Sequence, residues 1–223
     1  MKLDYSRYKH ISFDLWLTLI KSNPEFKNKR NLLFKDFFEL ECSIDKVTEV
    51  IRHYDLLCNN INEKTGLNID TFEIYYLILG ALNVKINNVE VEKLSQFYKE
   101  AELLFMMFKP DLIYPNIQLL FKEIIEQEKT ISILSNTAFI KGTTLRSLIE
   151  HYELENYFSF QIYSDETGFS KPSNEIFKLV YNEVKSFKSI EKKEILHIGD
   201  NRIADYNGAI NFGFDALLIK YKR

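Results

Sequence analysis

Five short apolar runs, each breaking off in small or acidic residues, restrict the folds open to this chain of 223 residues. "YKHISFD" ends at Asp14, and "KTISILSN" ends at Ser135 and Asn136. "FSFQIYSD" ends near Ser164 and Asp165, "EILHIGD" at Gly199 and Asp200, and "FDALLIK" at Ile219 and Lys220. Each run has strand length and is rich in Ile, Phe or Tyr. Nearly continuous apolarity is what strands covered on both faces require, as in a parallel sheet. Helical stretches lie between the runs. Residues 116–128 precede the second, "TTLRSLIEHYEL" follows it, and "KPSNEIFKLVYNEVKSF" follows the third with Ser173 at an N-cap position. "RIADYNGAINFG" follows the fourth and stops at Gly213. Strand then helix, repeated, predicts the α/β class with a doubly wound parallel sheet.

One long interruption falls directly after the first run. Residues 21–108 contain no convincing strand and read as helices over 27–40, 44–62, 71–82 and 89–108. The last carries Val91, Leu94, Phe97, Tyr98, Ala101, Leu104, Phe105 and Phe108 as one apolar stripe. "TGLN" (65–68) marks a turn. The expected organisation is an α/β core domain from 1–20 plus 109–223, with a helical domain, 21–108, inserted after the first strand.

Composition bears on partners and setting. Hydrophobic residues make up 46% and charged residues 27%, which suits a buried core and argues against disorder. With 29 basic and 32 acidic residues the formal charge is −3, which gives no electrostatic reason to expect nucleic acid or an anionic membrane surface as partner. Two cysteines, Cys42 and Cys58, imply no disulfide framework. "MKLDYSRYKH" lacks the apolar run of a secretory signal, and no apolar run is long enough to span a bilayer. A reduced, cytoplasmic setting is the expectation.

In open α/β sheets, ligands bind beyond the carboxyl ends of the strands. The residues expected there are Asp14, Ser135, Asn136, Asp165, Gly199 and Asp200. Three carboxylates converging on one crevice would repel one another and call for a cation, and hard oxygen ligands suit Mg²⁺. Lys171, just beyond the third strand, would add positive charge. A carboxylate, a divalent ion, a hydroxyl and a lysine around one point suit phosphoryl chemistry.

The motifs "FDLWLTL", "ISILSN", "SKPSNEIF" and "HIGDNRIADYNGA", in that order around a helical insert, resemble the haloacid dehalogenase (HAD) superfamily from end to end. The resemblance implies a Rossmann-like core with strand order 5-4-1-2-3, Asp14 on the central strand, and the insert as a helical C1-type cap over the active site. It implies Asp14 as the nucleophile that forms an aspartyl-phosphate, and Lys171 as the group that neutralises charge on it. Thr18, Ser135 and Asn136 would bind a small phosphorylated substrate. Mg²⁺ would be held by Asp14, the Trp16 backbone carbonyl and Asp200, with Asp205 in support.

Trp16 departs from the pattern. Phosphatases of the superfamily usually read D-x-D-x-T, with the second Asp as general acid and base; this chain reads D-x-W-x-T. Indole is only a hydrogen-bond donor and does not titrate usefully. Three readings stay open: a Mg²⁺-dependent phosphohydrolase or phosphotransferase with altered acid–base chemistry, a metal-independent 2-haloacid dehalogenase-like hydrolase, and a non-catalytic descendant that binds phosphorylated ligands. Retention of Gly199-Asp200 favours the first. Within the first motif, Trp16 is expected to pack beneath the helical insert. Arg30, His53 and Asp55 are expected at solvated helix surfaces, and His10 and His197 in the core.

Overall fold

The computed structural model describes residues 5–220, so the ends of the expected core segment, 1–4 and 221–223, lie outside the described residues. The strands are β1 (His10–Phe13), β2 (Ile20–Lys21), β3 (Asp111–Leu112), β4 (Thr130–Ser135), β5 (Phe160–Tyr163), β6 (Ile195–Gly199) and β7 (Asp215–Leu218). The α-helices are α1 (Pro24–Phe37), α2 (Ile44–Thr65), α3 (Thr71–Ala81), α4 (Val91–Met107), α5 (Ile117–Glu126), α6 (Gly142–His151), α7 (Ser164–Thr167), α8 (Asn174–Phe187) and α9 (Gly208–Phe212).

Five strands form one parallel sheet in the order β5-β4-β1-β6-β7. Numbered within the sheet, this is the 5-4-1-2-3 order that the resemblance implies. His10 pairs with Thr130 on one side and Ile195 on the other, so β1 lies at the centre. Burial follows position: β1 and β6 are buried throughout, whereas the edge strand β7 is half-exposed. Alternate side chains of β4 serve opposite faces. Ile131 and Ile133 join a cluster with Ile11, Phe13, Phe121 and Leu148, while Leu134 joins Phe177, Val180 and Phe214.

Helices α1 to α4 bury their own apolar cluster, built around Phe34, Ile51, Tyr75 and Phe97. Helix α1 starts earlier than the sequence suggests because Asn23 caps it and Pro24 sets the first helical turn. Ser43 caps α2, and Asp70 with Glu73 forms a capping box on α3. Along α4 the expected stripe buries Leu94, Phe97, Tyr98, Ala101 and Phe105, but Val91 is solvent-exposed in the first turn. Strands β2 and β3 were not expected. They pair antiparallel, Ile20 with Leu112 and Lys21 with Asp111, where the chain leaves and re-enters the α/β core. Two residues per strand are too few to show a period-2 pattern.

His10 and His197 are core residues, as expected. The His10 ring nitrogens lie 2.8 Å from the Thr130 hydroxyl and 2.9 Å from the Ser132 hydroxyl. Cys42 and Cys58 are both free thiols. Among the described residues, no helix is long and apolar enough to cross a membrane.

Candidate active site

Strand β1 runs straight into the site. The Asp14 backbone N–H donates to the Ile198 carbonyl at 2.8 Å, extending the β1–β6 ladder by one step. This aims the Asp14 carboxylate off the end of the central strand into a buried position. The chain then folds tightly: the N–H groups of Leu19 and Ile20 both donate to the Leu15 carbonyl. Leu17 takes a left-handed backbone at φ 58°, a conformation that disfavours a branched side chain. The fold brings Thr18 back onto Asp14, where its hydroxyl donates to Oδ2 at 2.8 Å. Thr18 therefore orients the carboxylate directly.

Lys171 is almost completely buried, and its ammonium uses all three donors. It reaches Asp14 Oδ1 at 2.8 Å, Asp205 Oδ1 at 2.6 Å and the Leu134 carbonyl at 2.8 Å. Burial works to lower its pKa, but Asp14 and Asp205 outweigh burial and the pKa is raised. Asn136 holds this lysine from behind. Its side-chain oxygen accepts from the Lys171 N–H at 2.8 Å, and its amide donates to the Lys171 carbonyl at 3.0 Å. Both polar ends of Asn136 are thus committed to the Lys171 backbone. Ser135 is fully buried at the end of β4, with its hydroxyl 3.2 Å from the Asn136 carbonyl.

The third carboxylate of the cluster is Asp205, not Asp165. One oxygen each from Asp14, Asp200 and Asp205 lie within 4.8 Å of one another. Asp165 instead accepts from the Thr137 hydroxyl at 2.9 Å and from the Gly142 N–H at 3.1 Å, capping the start of α6. The sequence places Asp165 at a strand end, but the short helix α7 begins there and turns the side chain toward α6. Asp205 lies on a π-helical segment after β6, Arg202–Asn207. Its close approach requires Gly199, where a Cβ would sit 2.2 Å from the Asp205 carboxyl.

Asp205 is fully engaged by protein donors. Oδ2 accepts from the Asn201 N–H at 2.9 Å, and Oδ1 lies 3.2 Å from His197 Nε2. A carboxylate only accepts, so His197 carries its proton on Nε2, and Nδ1 accepts from the Ser12 hydroxyl at 3.0 Å. Burial lowers the His197 pKa, and the hydrogen bond to Asp205 opposes the shift. Sequence reasoning left His197 out of the site. It is a core residue that also positions Asp205, and its place on β6 next to Gly199-Asp200 was the available signal.

The electrostatics favour a cation. One ammonium faces three carboxylates. Burial pushes Asp14 up to about 7; Lys171 opposes this, and Asp205 and Asp200 add to it. Burial and then Asp205 raise Asp200 to about 6. Burial would raise Asp205 too, but Lys171 and His197 hold it below the usual carboxylate range. Asp14 and Asp205 share the one ammonium and Asp200 makes no ion pair among the described residues, and hard oxygen donors of this kind suit Mg²⁺. No hydrogen bond among the described residues ends on the Trp16 carbonyl.

Trp16 is half-buried and meets Phe105 edge-on at 6.4 Å between centroids, so the insert packs against it as expected. His53 is exposed, and Asp55 pairs with Arg52 at 2.8 Å on the surface of α2. Arg30 overturns its expectation. It is 6% exposed rather than solvated, with its guanidinium 4.5 Å above the Phe139 ring. Two contacts across the crevice had no sequence signal. The Asn201 amide donates to Glu63 of α2 at 2.6 Å. The turn after α2 hydrogen-bonds to the segment leading to Lys171: Asn68 N–H donates to the Gly168 carbonyl, and Ser170 N–H donates to the Gly66 carbonyl.

Known proteins share this architecture. The sequence profile of the haloacid dehalogenase-like hydrolases matches residues 8–213. An uncharacterized hydrolase of Schizosaccharomyces pombe is 30% identical over 93 residues, 41% of this chain and 39% of that protein. The chain thus aligns with about two fifths of that relative's length. Among solved structures, the magnesium-bound HAD-hydrolase YfnB of Bacillus subtilis superimposes with a TM-score of 0.69 at 19% identity, covering 96% of this chain and 89% of that one. L-2-haloacid dehalogenase of Xanthobacter autotrophicus gives 0.61 at 20% identity, covering 95% and 77%.

Proposed function

This chain belongs to the haloacid dehalogenase-like hydrolase family, and from that membership we propose that it is a Mg²⁺-dependent phosphohydrolase or phosphotransferase acting on a small phosphorylated molecule. The observation that carries this reading is the convergence of Asp14, Asp200 and Asp205 around one buried lysine. A dehalogenation of carbon needs the nucleophile but not a cluster of metal-competent acids. The magnesium bound to the Bacillus neighbour adds weight.

Asp14 attacks phosphorus, a P–O bond forms to its carboxylate, and the bond to the leaving oxygen breaks with its electron pair. Water then attacks the phosphorus of the acyl phosphate, giving inorganic phosphate, which keeps the water's oxygen, and restoring the Asp14 carboxylate; a hydroxyl acceptor in place of water would leave with the phosphoryl group as a new phosphate ester. Lys171 neutralises charge on Asp14 and on the incoming phosphoryl oxygens. Thr18 fixes the carboxylate, Asn136 and His197 position Lys171 and Asp205, and the Ser135 hydroxyl lies at the phosphoryl end of β4. Mg²⁺, held by Asp14, Asp200 and the Trp16 carbonyl with Asp205 in support, would supply charge neutralisation at the phosphoryl group. The helical segment 21–108 acts as a cap, and Glu63 and the 66–68 turn are among its contacts with the core.

Trp16 shapes the substrate range. Without an acid at that position, leaving groups that depart unprotonated, such as aryl and acyl phosphates, are favoured. Slow hydrolysis lets the aspartyl-phosphate accumulate. Incubation with labelled acetyl phosphate should therefore give Mg²⁺-dependent label on wild type and none on Asp14→Asn. Absence of label on the wild-type chain overturns the reading. An aromatic residue at position 16 favours a second reading, carbon-centred hydrolysis like that of the Xanthobacter neighbour. Halide release from 2-haloacids in EDTA would establish it.

A further inference from the structure

Arg30 is a buried charge with no anionic partner among the described residues. Its guanidinium is always protonated and carries five donors. Among the described residues these reach only the neutral Asn31 side-chain oxygen, from Nε at 3.3 Å and Nη2 at 3.0 Å. No carboxylate lies within ion-pair distance of it among those residues. Its other neighbours are rings: Phe139 at 4.5 Å and Phe26 at 5.8 Å. Aromatic faces offset part of the cost of burying a guanidinium, but an unpaired buried charge is still unfavourable.

A second unsatisfied group lies beside it. The Tyr75 hydroxyl is fully buried and has no hydrogen-bond partner among the described residues. The Tyr75 ring packs on Phe139 at 5.3 Å and stacks on Phe34 at 5.6 Å, one turn along α1 from Arg30. Burial pushes this hydroxyl up to about 12, and the nearby Arg30 charge opposes the shift. A cation and a hydroxyl donor thus share the Phe139 ring, and among the described residues the first has no anionic partner and the second no acceptor.

The position connects to the active site by two routes. Phe139 follows Asn136 in the loop after β4, and that loop is tied to α3 by the Thr71 hydroxyl, which donates to the Ala138 carbonyl at 2.6 Å. In the other direction, Phe26 meets Phe105 at 5.2 Å, and Phe105 meets Trp16 at 6.4 Å. Arg30 therefore sits where the helical segment packs against the loop that follows Ser135 and carries Asn136, with two rings, Phe26 and Phe105, between it and Trp16.

We infer that Arg30 and the Tyr75 hydroxyl form a subsite for a second anionic oxygen group, a carboxylate or another phosphate, on the same molecule whose phosphoryl group meets Asp14. The inference rests on the proposed phosphoryl chemistry for the position of that molecule, but not on turnover. Ligands that carry such a group bind by charge-assisted hydrogen bonds to Arg30 and a neutral one to Tyr75.

The test uses full-length Asp14→Asn, which halts attack, titrated in Mg²⁺ and followed by fluorescence of Trp16, the single tryptophan. Propyl phosphate is the reference. Its carboxylate-bearing analogue, 3-phosphonooxypropanoate, and propane-1,3-diol bisphosphate test the two sources of charge. At least one should bind about 10–100-fold tighter than propyl phosphate. Adding Arg30→Met should erase the preference while propyl phosphate affinity holds, and Arg30→Lys should keep part of it. Tyr75→Phe should weaken the preferred ligand about 2–10-fold while its own Tm holds or rises, since an unpaired hydroxyl is lost. A purely structural role for Tyr75 would not separate Tm from affinity in this way. Equal affinities for the three compounds, or a preference that survives Arg30→Met, overturns the inference. If Arg30→Met does not fold, Arg30→Lys and Tyr75→Phe decide by the same criteria. Phosphoryl chemistry fails by a different result, the absence of label on Asp14.

Discussion

Trp16 stands two residues beyond Asp14 and offers a backbone carbonyl but no carboxylate. Its ring is held edge-on by Phe105, so it fills volume beneath the helical segment. At this position a carboxylate would be able to protonate a leaving oxygen and then activate water, a contribution of about 10²–10⁴-fold. Trp16→Asp should therefore raise turnover of alkyl phosphates by about 10²-fold and that of aryl phosphates much less, as measured by phosphate release in Mg²⁺. Equal changes for both leaving groups would show that the ring matters only for packing. The convergence of Asp14 and Asp200 was legible because each lies in a local motif at a strand end, and Lys171, beyond β5 and α7, was legible only from the motif around it. Arg30 was not: its burial depends on Phe139, which a reading of α1 alone cannot supply.

At the scale of elements, the contact that joins the helical segment to the site is the turn after α2. Gly66 ends that helix in the left-handed region at φ 73°, and a Cβ there would lie 2.6 Å from the Ser173 Cβ. Asn68 and Gly66 then hydrogen-bond to 168–170, just before Lys171. Gly66→Ala should cost at least about 1–2 kcal/mol from backbone conformation alone. Because the turn abuts the Lys171 segment, the same variant should also lower turnover; urea unfolding and steady-state rates check the two effects. Helices such as α4 were legible from a period of 3.6, and the turn "TGLN" from its glycine. That this turn docks on the 168–170 segment was not legible, since hydrogen bonds across a hundred residues leave no local pattern.

For the whole molecule, the central sheet contains a titratable group that must stay neutral. His10 is fully buried between Thr130 and Ser132, and burial lowers its pKa to about 3. An imidazole with an unfolded pKa of about 6.5 therefore stabilises the fold fully above that pH. That stability is lost as pH falls from 6.5 toward 3. His10→Gln removes the titration, so the stability advantage of wild type over the variant should shrink by about 2 kcal/mol between pH 7 and pH 5. Urea unfolding at both pH values measures it, and comparing two proteins cancels the opposite contribution of Asp14, whose raised pKa favours folding as pH falls. An advantage that does not change with pH would mean that His10 is already solvated.

The sequence by itself determined the alternation of strand and helix, the helical interruption and the motif residues at strand ends. These properties depend on period, length and local turn chemistry, which are written in neighbouring residues. The motif resemblance already placed Asp205 beside Asp14 and Asp200; only the tertiary structure decided that Asp165, also at a strand end, turns away from them. The direction of a side chain at a strand end is set by the backbone that follows it, a short helix after β5 and a π-helical segment after β6. The same holds for Asn136 clamping Lys171, His197 holding Asp205, and Arg30 buried beside Tyr75. Each is a desolvated polar group whose partner, or lack of one, is fixed by packing between segments distant in the chain.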